Sequence, residues 1–119
     1  MKTTAKDFKT YKAHCKKWQE KLGLTNWELN FYHNDDEEGA RAWVEAFIPQ
    51  GQATIGLTET LEDRRALGGD DLNKWAMHEI TELMLWKIRK LLEPVYSEEV
   101  INQHIHDIIR RLENVFFSD

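Results

Sequence analysis

Between Trp75 and Trp86 the chain reads Trp-Ala-Met-His-Glu-Ile-Thr-Glu-Leu-Met-Leu-Trp, and its only strongly polar members are His78, Glu79, Thr81 and Glu82. At helical spacing every other side chain is apolar, on nearly every side, so the segment predicts a buried helix. Ionisable groups in such a helix are costly unless they are paired or hold a cation. His78 and Glu82 stand four residues apart and project from one face a turn apart. Together they can grip one ion, with Glu79 beside them pointing in another direction.

The spacing is that of the His-Glu-x-x-His zinc motif with its second histidine replaced by glutamate. A carboxylate oxygen is an accepted zinc ligand, and the exchange lowers the net charge at the metal or favours another divalent ion. The same string also suits a plain contact between His78 and Glu82 on a helix surface. A third ligand has to come from elsewhere, and the candidates are His104 and His106, with Glu98, Glu99 and Glu113 as acidic options. An apolar stripe of Ile101, Ile105, Ile108, Leu112 and Phe116 turns His104 inward by helical phase, with His106 toward Ile109. His14 and His33 fit no matching pattern and read as surface residues.

Around that helix the chain has room for one domain, residues 1–119, with one core. Residues 4–22 carry Phe8, Tyr11, Cys15, Trp18 and Leu22 at three- and four-residue spacings, which predicts a helix closed by Gly23. Strands follow at 27–32, 40–47 and 53–57, with Pro49-Gln50-Gly51-Gln52 as a turn between antiparallel neighbours. A polar stretch ending in Gly68-Gly69-Asp70-Asp71 leads into the helix at 71–92, where Asp70 or Asp71 can cap and Pro94 stops it. The last helix, 97–117, opens on Ser97-Glu98-Glu99, a cap followed by acids that suit the helix dipole. The order predicts an α+β fold with a small three-stranded, mainly antiparallel sheet.

Composition narrows the classes. A net charge of −5 argues against general nucleic-acid binding, which needs a positive footprint. The lysines at 2, 6, 9, 12, 16, 17 and 21 read as the solvated face of the first helix, or as a docking patch for an acidic partner. Cys15 is the sole cysteine, so an intramolecular disulfide and an all-cysteine metal site are excluded. The first residues lack the apolar run of a secretory signal, and no segment approaches the ~20 apolar residues of a membrane span. The expected location is the cytoplasm. Five tryptophans point to a dense aromatic core or a recessed pocket.

The chain resembles a group of short phage and prophage proteins described as metallopeptidase-like, of the zincin type. The resemblance runs through Trp27-Glu28-Leu29, Ala53-Thr54-Ile55-Gly56-Leu57, the segment Met77–Leu85 and Ile108-Ile109-Arg110-Arg111-Leu112-Glu113-Asn114. Members mostly carry a second histidine where this chain has Glu82. The resemblance implies a minimal zincin-like fold, in which a strand leads by a polar loop into the metal helix and a later helix adds a ligand. It places that ligand just before the paired isoleucines, at His106, where helical phase favours His104. The implied set is His78, Glu82 and His106 on zinc or another divalent metal, with Glu79 as general base of a peptidase. In a phage-encoded protein the cytoplasm would be the host's. An extended peptide is expected to pair with the strand at 53–57, read as a sheet edge. The rival expectation is a non-catalytic binding protein on the same scaffold, its metal structural or absent, engaging a protein partner through its lysine-rich helix or the acidic turn at Asp35 to Glu38.

Overall fold

In a computed structural model describing residues 2–36, 38–61 and 70–117, the first helix, α1 (Ala5–Lys21), is set by its cap. The Thr4 hydroxyl accepts from the Asp7 amide while the Asp7 carboxylate accepts from the Thr4 amide. This reciprocal box satisfies two amides that the helix leaves without partners. The expected stripe is buried: Tyr11, Cys15 and Trp18 lie in the core, with Phe8 and Leu22 packed against it. Gly23, at φ +74, lets the chain turn out of the helix.

Three strands follow: β1 (Glu28–His33), β2 (Ala42–Phe47) and β3 (Gln52–Leu57). They lie in the order β1-β3-β2. β2 and β3 are antiparallel, joined by a one-turn 3-10 helix at Ile48–Gln50 and by Gly51 in the left-handed region. β1 and β3 are parallel, so the sheet is mixed, with one pairing of each kind. β3 is therefore central and not an edge, which corrects the expectation that residues 53–57 receive a peptide. Its alternating apolar run is the reason: Ala53, Ile55, Gly56 and Leu57 are all buried, as a strand flanked on both sides requires. The edges are β1 and β2. Trp43 lies across Gly56, its partner in the ladder, and a Cβ at Gly56 would fall inside the indole ring.

The loop after β1 is pinned by Asp35. Its Oδ1 accepts from the Thr58 hydroxyl at 2.9 Å and from the amides of Glu59 and Thr60 at 3.1 and 2.9 Å. Residue 37 of the acidic turn expected at Asp35 to Glu38, and residues 62–69 of the polar stretch before Asp70, fall outside the described residues.

The helix expected at 71–92 is two: α2 (Asp71–Met84) and α3 (Trp86–Leu92), separated at Leu85. One turn earlier the buried Thr81 hydroxyl donates to the Met77 carbonyl at 2.7 Å, a back-bond that bends helices. Asp70 occupies the cap position of α2, but its side chain makes no capping hydrogen bond. α4 (Glu98–Phe116) is capped by the Ser97 hydroxyl, which accepts from the Val100 amide. Its buried residues are Ile101, Ile105 and Ile109, while Ile108 is 42% exposed. The stripe was expected to pass through Ile108. It passes one residue later, which rotates the inward face by about 100° at that turn.

α2 packs against α1, β2 and α4. Ala76, Met77 and Ile80 join the α1 and sheet core, and Leu83 joins Trp27 and Ala53. Among the described residues no helix is long and apolar enough to cross a membrane.

Two outcomes follow from these contacts. Ile109→Ala should cost ~2–5 kcal/mol in urea unfolding, as a buried truncation does, whereas the exposed Ile108→Ala should stay within about 0.5 kcal/mol. Hydrogen bonds from the Thr58 hydroxyl and then from the Thr60 amide hold the Asp35 carboxyl below its ordinary 3.8. Its stabilising effect is therefore present above about pH 4 and lost as pH falls through the lowered folded value. Acid unfolding should show wild type and Asp35→Asn separated at neutral pH and converging below about pH 4.

Candidate metal centre

α2 packs against α1, β2 and α4, and its polar side chains open on the cleft between β2 and α4. Two helices deliver the site from opposite walls. His78 and Glu82 lie a turn apart on α2, and His106 faces them from α4. Each imidazole takes a different oxygen of the Glu82 carboxylate: His106 Nε2 lies 3.4 Å from Oε1, and His78 Nε2 lies 3.7 Å from Oε2. The two rings are tilted, with centroids 5.4 Å apart. One donor atom from each of the three residues falls within 4.8 Å of the others. Ligands at ~2.0–2.2 Å on a tetrahedral zinc are themselves about 3.3–3.6 Å apart. The two imidazole–carboxylate distances are close to that range, and two histidines with one carboxylate are a donor set that zinc accepts. The residues fit a divalent ion.

The structure thus brings together the three ligands that the resemblance implied, and His104 is not among them. His104 is exposed on α4. Helical phase erred because the stripe was drawn through Ile108; with Ile109 as the buried residue, His106 turns inward. Glu98 and Glu99 also stay exposed and outside the group. Glu113 approaches from α4 but meets the other nitrogen of His78, with Oε1 3.4 Å from Nδ1. Arg89 of α3 had no part in the sequence reading. Its guanidinium lies 3.9 Å from Glu82 Oε1. The signal was present in the spacing, since residues seven apart share a helix face two turns on.

Glu79 is only 6% exposed. Burial first, then the neighbouring Glu82 carboxylate and the hydrogen bond between the two, hold its carboxyl well above the ordinary glutamate range. Such a displaced carboxyl in a cleft is what proton-transfer chemistry requires.

The three ligands and Glu79 open on a cleft of about 1000 Å³, at the upper end of the ~300–1,000 Å³ typical of ligand sites. Trp43 and Glu45 of β2 line one wall, and Trp86 and Arg89 line another. A smaller pocket of about 270 Å³ adjoins His78 and Glu79 on the far side, walled by Trp75 and Arg41. The five tryptophans divide between both expected roles. Trp18 and Trp27 are core residues, while Trp43, Trp75 and Trp86 line the cleft and pocket.

The remaining candidates are structural. His33 was read as a surface residue but is half-buried, stacked on Phe8 at 4.8 Å and 2.6 Å from the Thr3 hydroxyl. Thr3 gives its single hydroxyl proton to the Thr58 carbonyl, so His33 Nε2 must be the donor to Thr3. His14, also expected at the surface, is half-buried in a cleft with Trp18 and Lys17. Cys15 is fully buried, and burial pushes its thiol well up, so it is neither nucleophile nor ligand.

Comparison of the chain with known protein families, with curated proteins and with solved structures finds no match. Zinc titration separates the two histidines of α4. His106→Ala should weaken zinc binding by at least about 100-fold, on the order of 3 kcal/mol, and His104→Ala should leave it within about twofold of wild type.

Proposed function

We propose that the chain is a divalent-metal-dependent hydrolase, with zinc on His78, Glu82 and His106, acting on peptides. The observation that carries this reading is the convergence of those three side chains from two helices at the floor of one cleft. The sequence resemblance to small phage and prophage metallopeptidase-like proteins agrees with it. Three protein ligands leave the fourth position of a tetrahedral ion open, as catalytic zinc sites do.

When bound, such an ion supplies Lewis acidity, acidifying water and polarising a carbonyl oxygen. The chain's own residues supply the rest. Glu79 takes a proton from the attacking water and passes it to the leaving amine. Its buried, raised carboxyl suits both halves of that exchange, because a general base works best with its pKa near the operating pH. β2 is the sheet edge beside the cleft. An extended peptide can add to its unpaired side by main-chain hydrogen bonds. The substrate strand thus belongs on β2, not on the central strand.

A second reading has one specific observation in its favour. Arg89 already faces Glu82, and its side chain is only 13% exposed. A carboxylate met by a guanidinium and two imidazoles has partners without any metal. That arrangement supports a non-catalytic scaffold that engages a protein partner.

Metal content decides between the two. Protein purified without added metal and then titrated with zinc should bind one equivalent. The ion should also raise the unfolding free energy by about 2.7 kcal/mol at a hundredfold excess over Kd. Glu79→Gln should retain that zinc and lose hydrolysis of a mixed peptide library by roughly 10²–10⁴-fold. Full activity in the glutamine variant would remove the general base. An unchanged melting temperature on adding zinc or strong chelator would favour the metal-free scaffold.

A further inference from the structure

His78 has carboxylates on both of its nitrogens, and the two are not equivalent. Nε2 faces Glu82, from its own helix, at 3.7 Å. Nδ1 faces Glu113, from α4, at 3.4 Å. Glu113 follows His106 by seven residues, two helical turns, so both look toward α2. Between them Ile109 is fully buried and fixes the rotation of α4 at that level. The position of Glu113 beside the ring is therefore set by core packing. Glu113 is not one of the three converging donors.

We infer that Glu113 is a positioning residue, which holds the His78 ring with Nδ1 protonated and Nε2 bare and turned toward Glu82 and His106. An ionised carboxylate can only accept a hydrogen bond, so the nitrogen it meets must carry the proton. A neutral imidazole has one N–H, and placing it on Nδ1 leaves the lone pair on Nε2. That lone pair is what a metal needs, and a carboxylate behind a ligating histidine commonly supplies this orientation. Without Glu113 the Glu82 carboxylate would draw the proton to Nε2, blocking the ligand atom. The two acids thus compete for one proton, and Glu113 decides where it rests. That this orientation serves a metal rests on the function proposed above; that Glu113 sets it does not.

The two parts have separate readouts. Long-range proton–nitrogen NMR of the metal-free protein at about pH 9, where histidine is neutral, reports which nitrogen of His78 carries hydrogen. Wild type should show Nδ1–H. Glu113→Ala should populate Nε2–H, and Glu113→Gln should restore Nδ1–H, since its amide oxygen still accepts. Titration with zinc alone should show Glu113→Ala weakened by about 10–100-fold and Glu113→Gln by less. Wild type in the Nε2–H form, or a tautomer unmoved by Glu113→Ala, overturns the inference. So does loss of zinc in Glu113→Ala as complete as in His78→Ala, which would make Glu113 a ligand. Wild type with Nδ1–H but no zinc affinity would uphold the role of Glu113 and sink the proposed metal function instead.

Discussion

Every feature of the site traces to one constraint: α2 is enclosed by α1, the sheet and α4, yet carries three ionisable groups in two turns. A buried charge without a partner costs several kcal/mol. The three groups resolve this differently. Glu79 is the deepest of them, and burial first, then the Glu82 carboxylate, raises its carboxyl above the ordinary glutamate range. Glu82, 20% exposed, stands among two imidazoles and a guanidinium. His78, 33% exposed at the cleft wall, sits between two carboxylates. Burial thus sorts the three, with Glu79 innermost and Glu82 and His78 nearer the open side.

Sequence periodicity reached the helical segments and the shared face of His78 and Glu82 because both depend on local spacing. Phe8, Tyr11, Cys15, Trp18 and Leu22 repeat with the helical period and face inward together. It failed where the answer depended on a partner element. Ile108 and Ile109 are equally apolar, and only the line of contact with α2 shows which one is buried. The choice between His104 and His106 turned on that same step. Strand order was beyond reach for a similar reason. β2 and β3 are joined by a tight turn and pair as such a turn dictates, but nothing local says that β1 pairs with β3. His33 was misjudged because its partners, Thr3 and Phe8, are about thirty residues away.

α3 follows α2 after a break at the single residue Leu85. Arg89 stands seven residues beyond Glu82, two helical turns on, and meets its carboxylate. Trp86 and Arg89 of α3 form a wall of the cleft. One turn before the break the buried Thr81 hydroxyl donates to the Met77 carbonyl, a back-bond that competes with regular helix geometry.

Glutamate at position 82 has a consequence that histidine would not. An imidazole presents one nitrogen to a cation, whereas a carboxylate presents two oxygens, and here each meets a different histidine. The three donors therefore converge with no ion present. A second imidazole at that position would present one nitrogen where the carboxylate presents two oxygens. The negative charge that Glu82 brings strengthens electrostatic attraction for a divalent ion, while it weakens the ion's pull on a water proton. In the proposed hydrolase that weaker pull would place more of the work on Glu79, whose carboxyl is raised by burial and by Glu82 itself.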